Sequence, residues 1–296
     1  MKAPGSPAYR IGMTSQAKDP LVDVHWLSAH RSAPDLRIVD ATMFPPGDDR
    51  DARLAHTEAR IPGAVFFDVN EIADTASALP HMLPSPEKFA SRMRRLGIGD
   101  GNRVIVYDQL GLFSAARVWW TFRVMGHEDV VVLDGGLPAW REAGLEIEDG
   151  PPNRLSERHF TARFRQDLVK GLDEMRALVA AGGGGIIDAR PQARFLGQAP
   201  EPRAGLASGH MPGAVNLPFP SVLNENKTMK SGPELARIFE DMNIAAKQPI
   251  VCTCGSGVTA AVLALALART GRWDIPVYDG SWAEWGARTD TPIATA

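Results

Sequence analysis

The feature that most constrains the fold is an internal repeat with an offset near 148 residues. Ile38-Val39-Asp40-Ala41-Thr42 is answered by Ile186-Ile187-Asp188-Ala189-Arg190. Ile61-Pro62-Gly63-Ala64-Val65 is answered by Met211-Pro212-Gly213-Ala214-Val215. Val132-Leu133-Asp134-Gly135-Gly136, followed by Trp140, is answered by Val277-Tyr278-Asp279-Gly280-Ser281, followed by Trp285. Three matches in the same order imply a duplicated domain, and the small drift in offset fits loop insertions. A chain of 296 residues is long enough for two such units.

Each half reads alike. A helix comes first, over 22–29 in one half and 168–181 in the other. A strand follows, over 37–41 or 185–189, and then an extended Pro-Gly-Ala-Val segment and a second helix. The central strand is expected over 103–107 or 249–252. A loop and a buried helix come after it, over 115–125 or 260–268. The last strand spans 130–133 or 275–278, and an Asp-Gly turn leads into a Trp-bearing helix. Strands without polar alternation, alternating with helices, imply an α/β fold: two tandem domains, each a parallel sheet with helices on both faces. The expected division is a flexible tail over 1–18, a first domain over 19–146, a linker over 147–165 around Gly150-Pro151-Pro152-Asn153, and a second domain over 166–296. Met13 is an alternative start.

The stretch Val251-Cys252-Thr253-Cys254-Gly255-Ser256-Gly257-Val258-Thr259 is the place to look for chemistry. An apolar strand enters it and the apolar run 260–268 leaves it. Cys254 therefore stands where the strand stops and the helix has not begun. Gly255 and Gly257 permit a sharp turn that brings backbone N–H groups close to the sulfur. The helix start adds unpaired donors and the positive end of the dipole. Such a setting favours thiolate over thiol, so Cys254 is the expected nucleophile. The competing reading is a small buried apolar residue. Cys252, inside the strand, reads as a buried thiol, with a redox partnership as its alternative. The first half carries Tyr107-Asp108-Gln109-Leu110-Gly111-Leu112-Phe113-Ser114 at the equivalent place, one residue longer and without cysteine. One half is thus expected to be catalytic and the other to wall the cleft, at the carboxyl ends of the strands.

Other groups that can serve Cys254 are Arg194 and Arg203. They flank a Gly- and Pro-rich segment expected to be an ordered loop, and two guanidinium groups there can grip a carboxylate. The alternative is that both are solvated. Glu201 either orients one of them or faces water. The Ser256 hydroxyl can donate to the sulfur or cap the helix. His81, bracketed by prolines, matters only if the halves pack across the cleft. His210 reads as structural. Trp119, Trp120, Trp140, Trp282 and Trp285 read as core or interface.

Composition removes several classes. A net charge of −3, from 32 Lys+Arg against 35 Asp+Glu, gives no nucleic-acid surface. Two cysteines cannot fill a zinc site or make a disulfide framework, so no metal is expected, and a reducing, cytoplasmic setting is. The N-terminus lacks a secretory apolar segment, and the longest apolar stretch is too short for about 20 membrane-spanning residues, so no membrane partner is expected.

The loop Cys254-Gly255-Ser256-Gly257-Val258-Thr259 resembles that of the two-domain rhodanese family, in its 3-mercaptopyruvate branch. The resemblance extends over about 21–292 and includes Pro80-His81-Met82-Leu83-Pro84, Arg117-Val118-Trp119-Trp120, Glu201-Pro202-Arg203 and Tyr278-Asp279-Gly280-Ser281-Trp282. It implies a sulfurtransferase whose second domain alone is active. It further implies that Cys254 takes sulfur from 3-mercaptopyruvate as a persulfide. Arg194 and Arg203 would hold that substrate, and the N–H groups of Gly255, Ser256, Gly257, Val258 and Thr259 would cradle the sulfur. A thiol such as thioredoxin or a small thiol, or cyanide in an assay, would accept it, with no cofactor. The resemblance implies a relay of Ser256, His81 and an acidic residue, but the acidic position is Asn70, so Asp68 becomes the substitute to test. The rivals are a thiosulfate sulfurtransferase, whose loop would carry basic side chains after the cysteine, and a non-catalytic rhodanese-like binding protein, which would lack the cysteine. A related cysteine phosphatase would need an arginine closing the loop, where Ala260 stands.

Overall fold

The computed structural model describes residues 19–152, 155–244 and 249–295. The expected tail, with Met13, and Asn153 of the linker lie outside the described residues. The first half contains β1 (Leu21–Val22), α1 (Val24–His30), β2 (Leu36–Asp40), α2 (Ala52–Glu58), β3 (Val65–Phe66), α3 (Pro86–Arg95), β4 (Arg103–Tyr107), α4 (Ala115–Val124), β5 (Val130–Leu133) and α5 (Gly136–Glu142). The second contains β6 (Val169–Lys170), α6 (Leu172–Ala180), β7 (Ile186–Asp188), α7 (Gln192–Phe195), β8 (Val215–Asn216), α8 (Gly232–Asp241), β9 (Val251–Thr253), α9 (Ala260–Arg269), β10 (Val277–Tyr278) and α10 (Ser281–Trp285).

The two sheets have one topology. The strand orders are β1-β5-β4-β2-β3 and β6-β10-β9-β7-β8, with every pairing parallel. The edge strands β1 and β6 correct the sequence reading, which merged both into helices. Two residues are too short to show a strand period, and each stops where its helix is capped: the Asp23 carboxylate accepts from Trp26 N–H before α1, and Gly171 precedes α6. Ser85 and Pro86 start α3, and Ser231 with Glu234 forms a capping box on α8.

All of α4 and residues 260–268 of α9 are buried, and the two helices pack against each other. The halves therefore share one apolar cluster, which runs from Val104 and Phe122 to Leu263 and Val277. Trp119, Trp120, Trp140, Trp282 and Trp285 are buried, as their composition suggests. The segment after α5 stays on the first half. Glu148 pairs with Arg60, Phe160 packs on Phe89, and Arg163 N–H reaches Met125 O at 2.8 Å. His210 is structural: its ring stacks on Phe195 at 3.8 Å and Nδ1 donates to Phe195 O. No helix among the described residues is long and apolar enough to cross a membrane.

Candidate active site

The register of β9 decides where Cys254 stands. Thr253 is level with Asp188 on β7, so Cys254 is the first residue beyond the sheet, at its carboxyl edge. Its backbone is fixed on both sides: its N–H donates to Ser281 Oγ at 3.3 Å and its C=O accepts from Trp282 N–H at 2.9 Å. Gly255 O accepts from Ala283 N–H at 2.8 Å, and Gly257 turns the chain at φ +75°, a conformation that favours glycine. Helix α9 then begins at Ala260 with no side-chain cap on Thr259. Among the described residues, no hydrogen bond takes the backbone N–H of Gly255, Ser256, Gly257, Val258 or Thr259. Five consecutive N–H groups without a hydrogen-bond partner among the described residues thus follow Cys254, a residue 1 % exposed, at the end of α9 where the helix dipole carries about half a positive charge. Successive unpaired N–H groups of this kind can bind an anion.

The cleft above the cysteine has a volume of about 320 Å³ and is walled by both halves. The first half supplies Met43, Phe44, Asn70, His81 and Phe113; the second supplies Arg194, Arg203, Phe219 and the cysteine loop. Arg194 lies on the short helix α7, a single turn between Pro191 and Gly197, and residues 196–203 after it form a loop. Glu201 does not face water. Its buried carboxylate accepts from Arg190 Nη1 at 2.8 Å and from both Nε and Nη2 of Arg194. Arg190 is itself held by Asp188 and Gly209 O. This chain aims Arg194 so that a Cβ added to Gly255 would lie 3.2 Å from its Nη2. Arg203 differs: no carboxylate lies within 4.0 Å of it among the described residues. Burial lowers its pKa, while the Cys254 charge raises it. Arg203 is therefore the guanidinium whose charge is left for an anionic ligand.

His81 reaches the cleft from the other half in a left-handed backbone conformation, φ +60°, which costs a non-glycine residue about 1–2 kcal/mol. Burial first, and then the Arg117 and Arg203 charges, push its pKa down to about 4. The ring is neutral near pH 7. Arg203 Nη2 donates towards Nε2 at 3.4 Å, so Nδ1 carries the proton, and that buried atom has no partner among the described residues. The expected relay is not assembled. Asp68 is taken up by Arg53 and by the N–H groups of Asn70 and Glu71, and Asn70 makes no bond to the ring. Ser256 lines the same cleft, without a hydrogen bond to His81 among the described residues. Cys252 is fully buried, and that burial pushes its thiol pKa far up; Cys254, not Cys252, lines the cleft.

The repeat and the two sheets agree with comparison to known proteins. The rhodanese-like domain family matches residues 23–143 and again 171–288, one match in each half. The chain belongs to the rhodanese family. It is 44% identical to the 3-mercaptopyruvate sulfurtransferase of Escherichia coli K12, over 92% of this chain and 96% of that one. It is 42% identical to the thiosulfate/3-mercaptopyruvate sulfurtransferase 1, mitochondrial, of Arabidopsis thaliana, over 93% of this chain and 78% of that one. The crystal structure of SseA from Escherichia coli superposes with a TM-score of 0.81 at 41% identity, over 90% of this chain and 99% of that chain.

Three residues of this rhodanese were not singled out from the sequence as site residues. Ser281 holds the Cys254 N–H from a strained φ of +49°, where the first half has Gly136 at φ +55°. Comparing Asp-Gly-Gly with Asp-Gly-Ser between the repeats would have flagged it. Arg117 and Asp279 appear only inside family-like motifs, and nothing in the sequence says that they meet.

Proposed function

We propose that this rhodanese is a sulfurtransferase that carries the sulfur of 3-mercaptopyruvate through a persulfide on Cys254 to a thiol acceptor. The observation that carries the reading is the buried Cys254, followed by five backbone N–H groups unengaged among the described residues, at a cleft that also holds Arg203, a cation with no carboxylate within 4.0 Å among the described residues. Relatives named for 3-mercaptopyruvate, at about 40% identity over nine-tenths of the chain, support the donor. In the first half-reaction, the Cys254 thiolate attacks the thiol sulfur of the donor. A new S–S bond forms and the donor C–S bond breaks. The bonding pair goes to the three-carbon fragment, which leaves as the enolate of pyruvate and takes the proton released from the thiol. Arg203, with Arg194 beside it, holds the carboxylate and ketone and bears the enolate charge. The persulfide anion remains in the N–H cradle of residues 255–259 until a second thiolate removes the outer sulfur, giving ping-pong kinetics.

We assign residues 166–296 to the catalytic domain, 19–146 to the non-catalytic domain, and 147–165 to the connection. Ser256 is assigned as a hydroxyl donor at the sulfur, and His81 as a neutral wall of the cleft beside Arg203. The acceptor is assigned to the class of thioredoxin and small thiols. Two free, buried cysteines support a reducing, cytoplasmic location. Thiosulfate is a slower donor in this reading, because the loop after Cys254 carries no basic side chain.

The test is pyruvate release from 3-mercaptopyruvate with a thiol acceptor, measured beside thiosulfate:cyanide turnover, for the native chain and for Cys254→Ser. Faster mercaptopyruvate turnover, abolished by the substitution, is expected. Faster thiosulfate turnover would overturn the donor assignment, and survival of activity in Cys254→Ser would overturn the nucleophile.

A further inference from the structure

We propose that Arg117, a residue of the non-catalytic half, is a positioning residue for catalysis in the other half. It sets the orientation of the Gly257–Val258 peptide and thereby the direction of the Val258 N–H, one of the five unengaged donors that follow Cys254. The proposal rests on the persulfide reading of that cysteine.

Arg117 lies on α4, the buried helix that packs against α9, and its side chain is 3 % exposed. Its guanidinium spans three acceptors. Nη1 donates to Gly257 O at 3.3 Å, and Nη2 donates to His81 O and to Asp279 Oδ1, both at 2.6 Å. The other oxygen of Asp279 accepts from Leu83 N–H at 2.8 Å. One planar fork thus joins the cysteine loop, the His81 loop and the Asp279 turn. In a trans peptide the C=O and the following N–H point to opposite sides. Holding Gly257 O against Arg117 therefore turns the Val258 N–H away from Arg117. The approach is close: a Cβ added to Gly257 would lie 2.7 Å from Arg117 Nη1. At φ +75° this glycine is free to flip its peptide, so an external anchor has something to decide.

The first half supplies the control. The contact from the other half is repeated there: Met229 N–H donates to Asp134 Oδ1 at 2.7 Å, as Leu83 N–H does to Asp279. The guanidinium is not repeated. The position equivalent to Arg117 on α9 is Val262, and among the described residues the guanidinium nearest Asp134 is that of Arg269, at 3.7 Å. The fork faces the loop that carries the cysteine. A buried ion pair is weak evidence for stability, since apolar replacements of such pairs are often neutral. Positioning is the role left to it.

The test compares the native chain with Arg117→Lys, which keeps a cation beside Asp279 but loses the fork, and with Arg117→Met/Asp279→Asn, which strands no buried carboxylate. Three quantities are read: melting temperature, alkylation of Cys254 by neutral iodoacetamide at pH 7, and the split of kcat from KM for 3-mercaptopyruvate. At least one variant is expected to melt within about 4 °C of the native chain. In that variant alkylation and kcat should fall at least about 10-fold, with KM moving less than about 2-fold. A folded variant with native alkylation and kcat overturns the proposal. Failure of both variants to fold also overturns it, and assigns Arg117 to stability. Should the native chain leave 3-mercaptopyruvate untouched, the donor assignment fails, and the alkylation rates alone decide the role of Arg117.

Discussion

The loop after β4 and the loop after β9 occupy the same place in two sheets of one topology, yet they treat their backbone donors in opposite ways. In the first half, Asp108 stands where Cys254 stands in the second. Its carboxylate accepts from Leu110, Phe113 and Ala115 N–H at 2.9, 2.7 and 2.9 Å. The first loop therefore fills its own cradle with an anion made of its own side chain. The second leaves five N–H groups directly after its cysteine without a partner among the described residues. Both loops are built to hold negative charge, but only one holds charge that comes and goes with a reaction. Duplication kept the anion site in each half, and one residue decides whether it is structure or chemistry. The setting of Asp108 is the costly one: burial pushes its carboxyl pKa up, against the three N–H groups that pull it down.

The largest effect should come from making the loops alike. Cys254→Asp should leave a folded protein, since a carboxylate can take the free N–H groups as Asp108 does, while sulfur transfer falls beyond detection, a loss of about 10⁴-fold or more. Residual persulfide on the loop peptide, seen by mass spectrometry after incubation with donor, would break the comparison. Next, Asp108→Ala removes the anion from the first cradle and strands three donors. It should lower stability by about 3 kcal/mol, read from urea unfolding. A change below about 1 kcal/mol would mean that water replaces the carboxylate and that the cradle is not structural.

Of the cations beside the active loop, Arg190 is replaced in the first half by Thr42. Arg203→Ala should raise KM for 3-mercaptopyruvate by about 10- to 100-fold, with a smaller change for an uncharged sulfur donor. Equal changes for both donors would remove Arg203 from carboxylate binding. The smallest effect is a pH dependence. His81 stays neutral in the folded chain down to about pH 4, against an ordinary value of 6.5. Between these values the unfolded chain binds a proton that the folded chain refuses. Stability from this source is complete above pH 6.5 and declines as pH falls towards 4. His81→Gln should flatten that decline by an amount on the order of 2 kcal/mol, measured by thermal unfolding from pH 4 to 7. An unchanged slope would show that the ring titrates normally.

Much of this was legible in the residues. The repeat specified two alike sheets because equal patterns of strand, turn and helix bury equal faces, and the helix α9 follows from an apolar run too continuous for any exposed position. The cysteine loop was legible because glycine, cysteine and a helix start are local features. The edge strands β1 and β6 were not, since two residues carry no period and gain their pairing only from β5 and β10. The state of His81 was not legible either. A histidine between prolines becomes a half-buried neutral ring only when the fold closes over it and brings Arg117 and Arg203 beside it from distant parts of the chain.

The division follows the range of the forces. Hydrophobic period, turn chemistry and helix capping act over a few residues, and they are enough to determine two α/β domains and a cysteine at the head of a helix. Whether a guanidinium is free or spent depends on which carboxylate lies against it across the fold. Glu201 occupies Arg194, Asp279 occupies Arg117, and Arg203 is left without a carboxylate within 4.0 Å among the described residues. Only the packing of one half on the other decides that, because charge is neutralised by neighbours in space and not by neighbours in the chain.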